Sequence, residues 1–161
     1  MSSGSIGNRC VAQEGSPMQN VPDVSPPLRS LILRTVYAIC LLGATYNHWF
    51  AIYQHGLDWD YGGFPRASTT FWTALAFIDP AAVILLFMRP NAGIALTIAI
   101  IVSDVIHNIV IQALYFPPLL RTLATSPRMV EQIAFMAFVL ATRPLAWARK
   151  TTGSGVRAFS F

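Results

Sequence analysis

The chain has 161 residues, 54% of them hydrophobic and 11% charged, with a mean hydropathy of +0.51 and a formal net charge of +4. Soluble domains carry about 25% charged residues, so this composition argues against a water-soluble fold and describes a small membrane protein with room for one domain. The basic residues gather toward the ends without interleaved aromatics, which argues against a nucleic-acid partner, and two cysteines, Cys10 and Cys40, without a CxxC spacing give no disulfide framework.

Residues 1–27 are rich in Ser, Gly, Pro and Asn and contain no apolar run, so they read as a disordered tail and not as a signal peptide. A helix needs about 20 apolar residues to cross the hydrocarbon core, and four segments qualify. The first covers residues 28–53 and is entered through Pro26-Pro27, a favourable helix start. The second covers 70–88 and the third 91–115. Only Arg89-Pro90-Asn91 separates these two, which predicts an antiparallel hairpin. The fourth covers 129–148 and is interrupted by Glu131 and by Arg143-Pro144.

The remaining connections, 54–69 and 116–128, mix aromatics, prolines and charges and are expected at the membrane interface. Within the first, Asp58-Trp59-Asp60-Tyr61-Gly62-Gly63 predicts a turn anchored by aromatics. Its Asp-x-Asp lacks the further carboxylates a calcium site needs. Residues 149–161 form a basic C-terminal tail.

Orientation follows from the Lys/Arg balance. Arg9, Arg29, Arg34, Arg89, Arg143, Arg149, Lys150 and Arg157 share one side of a four-span topology, and Arg66, Arg121 and Arg128 the other. The expected fold is therefore an all-α, four-helix transmembrane bundle over residues 28–148 with both termini cytoplasmic, in the plasma membrane or the endoplasmic reticulum.

Several polar residues interrupt these spans. A charged side chain at the centre of a membrane helix costs roughly 2.5–3.5 kcal/mol on insertion scales, and such residues mark functional sites by default. Asp79 and Asp104 fall near the midplane, with His107 and Asn108 about one turn further out. Asn47, His48 and Glu131 lie roughly 10 Å outward from the centres of their spans, and Gln112 and Gln132 continue the trend. Asp104, Asn108 and Gln112 recur at i, i+4 and i+8, with His107 bordering the same face. Asp79 precedes Pro80, which removes a backbone N–H and leaves the carbonyl of Ala76 without its usual partner. These positions predict a one-sided polar cavity in the outer half of the bundle.

Three chemistries fit this constellation. In the first, Asp79, Asp104 and His107 move a proton to and from a lipophilic substrate. Tyr46, Asn47, His48, Trp49, Trp72, Asn108 and Glu131 would then line its pocket, with ring faces suited to a cation. The second is metal binding. Asp104-x-x-His107 has the spacing of one half of a carboxylate-bridged di-iron site, but the other half is missing, and no metal or other cofactor is expected. The third is a proton relay through an oligomer. A non-enzymatic alternative is a small subunit whose polar residues grip a partner's helix. The expected partners are membrane lipid and a lipophilic small molecule, with a homo-oligomer under the transport reading.

The elements Leu42-Gly43-Ala44-Thr45-Tyr46-Asn47-His48, Phe71-Trp72 through Ile78-Asp79, Ser103-Asp104-Val105-Ile106-His107 and Thr142-Arg143-Pro144 resemble, as sparse positions in the same order, the EXPERA-type four-span proteins, the family of the sterol isomerase and the sigma-2 receptor. The chain departs from that pattern in three ways: it has Asp79 where the family usually has Glu, a shorter first loop, and the extra Asp104. The resemblance implies a cavity for sterol-like or cationic amphiphilic ligands, with Asp79 as its acid.

Overall fold

A computed structural model describes residues 26–118 and 125–147. Four α-helices follow in order: α1 (Pro26–His55), α2 (Arg66–Met88), α3 (Pro90–Tyr115) and α4 (Pro127–Ala146). All four are long and apolar enough to cross a membrane, and the chain is an all-α, multi-pass membrane bundle. Large apolar side chains such as Ile39, Leu42, Ile84, Phe87, Ile106 and Leu145 are exposed around it, as a surface solvated by lipid requires and one in water would not tolerate. The N-terminal tail up to residue 25, residues 119–124 and the C-terminal tail lie outside the described residues. So do the expectations of a disordered and a basic tail placed on them.

The helices form a ring in which α1 packs on α2 and α4, α3 packs on the same two, and α1 meets α3 across the diagonal. Each predicted span appears, starting one to four residues earlier than expected. The largest extension is in α2, which begins at Arg66 rather than 70 because Pro65 already carries a helix-compatible φ of −57° and opens the first turn. The hairpin between α2 and α3 leaves a single non-helical residue, Arg89. It can be this tight because residue 93 is glycine: a Cβ there would fall onto the backbone of Leu85 and Leu86.

The core comprises Tyr37, Leu41, Leu75, Leu86, Ile94 and Val139 with their neighbours. At the hairpin end, polar side chains tie the helices together. Ser30 Oγ donates to the carbonyl of Ala146 at 2.7 Å, which brings the start of α1 and the end of α4 to the same end of the bundle. Tyr37, fully buried, shares a 2.6 Å hydrogen bond with Thr142 and stacks edge-on against Phe135 and Phe138.

Pro80 and Pro90 each leave a backbone carbonyl of α2 vacant, and α1 supplies both donors. Pro90 cannot donate to Leu86, and Arg34 does so from Nη1 at 3.2 Å. Pro80 cannot donate to Ala76, and the indole Nε1 of Trp49 does so at 3.0 Å. An unpaired carbonyl in lipid is expensive, so the prolines and these two side chains of α1 form matched sets.

At the other end, the 56–65 loop folds as the sequence predicts, into a turn anchored by aromatics. Asp60 accepts from the backbone N–H of Gly62 at 3.0 Å through its side chain, and from Gly63 and Phe64 through its carbonyl. Gly62 and Gly63 have φ of 90° and 98°, a region open to glycine at little steric cost. Trp59 stacks on Tyr61, and Tyr61 and Phe64 both lie against Trp72 of α2.

Candidate functional site in the bundle interior

The hairpin brings the two midplane acids together. Measured from the turn at Arg89, Asp79 lies about 15 Å up α2 and Asp104 about 22 Å up α3, at 1.5 Å per residue. Side chains on a helix lean toward its N-terminus. On α2 that direction is away from the turn and on α3 toward it, so the carboxyl groups approach each other across the difference in height. Both residues are buried, Asp79 at 1% exposure and Asp104 at 8%.

Asn108 is the bracing residue. Its amide nitrogen donates to Asp104 Oδ1 at 2.9 Å and to Gln132 Oε1 on α4 at 3.1 Å, while its oxygen accepts from Trp72 Nε1 on α2 at 3.0 Å. An indole can only donate, which fixes the amide orientation. One side chain of α3 therefore links α2 and α4 and holds Asp104 in place. His107 packs between Phe71, with ring centroids 4.6 Å apart, and the edge of Trp72, at 5.4 Å.

Not all of this polarity is satisfied. Asp79 Oδ1, His107 Nε2, Gln112 Oε1 and the hydroxyl of Tyr61 are buried without a hydrogen-bond partner among the described residues. Each such group costs roughly 1–3 kcal/mol, and three of the four belong to the α2–α3 pair.

The outward residues are distributed differently from the expected funnel. Trp49 reaches the bundle, where it meets Ala76 and the edge of Phe77. His48 is partly buried on α1. Tyr46, 67% exposed, stacks on the exposed Phe50, and Asn47 and Glu131 are also exposed. The helical period explains these positions. Tyr46 and Asn47 lie five and six residues after the buried Leu41, which turns them about 140° and 120° from its direction at 100° per residue. Glu131 adjoins Gln132, the residue that faces Asn108, and is turned away from it by the same geometry. Gln132, Phe71 and Tyr61 join the cluster instead. Gln132 was legible as a polar residue at the depth of Asn108, whereas an aromatic side chain against His107 carries no signal of its own.

Two open clefts, of about 480 and 380 Å³, lie at other places: one along Ala95, Ile98, Arg143, Pro144 and Trp147, the other along α2 and the 56–65 loop. Asp79, Asp104 and His107 line neither. The chain matches no family model, no curated protein and no solved structure.

Proposed function

We propose that this integral membrane protein binds a lipophilic small molecule bearing a polar group, and that Asp79, Asp104 and His107 receive that group. The observation that carries this reading is the pair of buried, unpartnered atoms, Asp79 Oδ1 and His107 Nε2. Side chains that only join helices work by satisfying one another, as Tyr37 does with Thr142 and Asn108 with its three partners. Asp79 and His107 each retain an unused position, and a ligand's hydroxyl or amine is suited to fill it.

The reaction class that fits is acid–base isomerisation of a sterol- or isoprenoid-like molecule. A protonated Asp79 would deliver its proton to one carbon of a double bond, leaving the positive charge on the other, and His107 or Asp104 would take a proton from the carbon on the far side of that cation. The double bond moves and the proton count is unchanged. The EXPERA-type resemblance points the same way. Under the subunit alternative the residues gripping a partner's helix are Asn47 and Glu131, because they face outward while the acids face inward.

Organic extraction and mass spectrometry of the purified protein test the proposal, with Asp79→Asn and Asp104→Asn prepared alongside and their helicity checked by circular dichroism. The expected result is a lipophilic compound other than a membrane phospholipid, retained by the unmodified chain and reduced at least tenfold in both variants. Equal content in all three, or none in the unmodified chain, overturns it.

A further inference from the structure

The second cleft has a chemical character of its own. It begins at Leu57, Asp58 and Asp60 in the loop, passes Phe64 and Arg66 at the start of α2, and descends that helix along Thr69, Thr70, Thr73, Ala74 and Phe77. From residue 66 to 77 it runs about 16 Å along the helix, the depth of a headgroup region and the first part of an acyl chain. Its lining changes in character along the chain: carboxylates in the loop, a guanidinium at the start of α2, hydroxyls on its next turns, then Ala74 and Phe77. Phe77 is itself backed by Trp49, 5.2 Å away between ring centroids.

We propose that this groove is a binding site for a zwitterionic phospholipid with a primary amine, a phosphatidylethanolamine, of the leaflet at the loop end. The groove holds carboxylates and a guanidinium together, the complement of such a lipid's ammonium and phosphate. The ammonium meets Asp58 and Asp60, and the phosphate meets Arg66, whose planar donors suit a phosphate. The upper chain lies on Ala74 and Phe77. Two carboxylates disfavour an anionic headgroup, and a quaternary ammonium offers them no N–H to accept. This site is separate from the acids of the interior and does not depend on the function proposed for them.

Native mass spectrometry of the full chain, equilibrated with equimolar phosphatidylethanolamine, phosphatidylcholine and phosphatidylglycerol in detergent, tests the assignment. Phosphatidylethanolamine should be retained at least fivefold over either competitor. Arg66→Gln should lower its retention at least fivefold, and Asp58→Asn should remove its advantage over phosphatidylcholine. Asp58 is the better variant because Asp60 also holds the Gly62 turn. Asp79→Asn should leave the preference intact. Equal retention of the three lipids, any other order, or a preference unchanged in both Arg66→Gln and Asp58→Asn overturns the proposal.

Discussion

Asp79 and Asn108 show two ways of placing a polar side chain inside a membrane bundle. Asn108 uses both its donor and its acceptor capacity and connects Trp72, Asp104 and Gln132. Replacing it with Leu fills similar space but leaves an indole N–H, a carboxyl group and an amide without that partner. Asn108→Leu should therefore lower stability by about 1–3 kcal/mol, measurable as a shift in a denaturant titration. Asp79 has the opposite character, with a fully enclosed oxygen lacking a partner. The sequence showed that both residues are polar at membrane depth. It did not distinguish the braced one from the unbraced one, because that depends on which side chains of α2 and α4 reach the level of residue 108.

Among the helices, α1 acts as a donor of hydrogen bonds to α2. Trp49 and Arg34 serve the carbonyls of Ala76 and Leu86, which Pro80 and Pro90 leave without backbone partners. The vacancy at Ala76 could be read from Pro80 alone. Its partner could not, since the pairing spans 27 residues and rests on how α1 and α2 are rotated against each other. A double-mutant cycle tests the match. Trp49→Phe should cost about 1 kcal/mol in the natural chain and much less in a Pro80→Ala background, where residue 80 regains an N–H for Ala76. An equal cost in both backgrounds would show that Trp49 contributes through packing. The same rotational argument explains why Tyr46 and Asn47, adjacent to His48 in sequence, leave the interior. Depth along a helix can be read from residue number, but facing requires its neighbours.

For the whole molecule, the four spans and the tight hairpin were legible because hydropathy, span length and Pro/Arg punctuation agree, and lipid leaves few alternatives to a helix. The structure puts the start of α1 and the end of α4 at one end of the bundle. The Lys/Arg balance predicts that this end is cytoplasmic, and reporter fusions should then show the C-terminus cytoplasmic and the 56–65 loop on the opposite side. The polar cluster was legible as a set of depths, and the outward facing of Tyr46, Asn47 and Glu131 was not. That the Asp79 cluster is a ligand site and not a clasp between helices has a direct consequence for stability. Thermal unfolding of Asp79→Asn against the unmodified chain, each stripped of extractable lipid in the same detergent, decides it directly. A buried acid kept for function and left unpartnered should be no loss to the empty fold, so the variant should unfold at the same or a higher temperature. Unfolding several degrees lower would contradict this and identify Asp79 as a structural clasp.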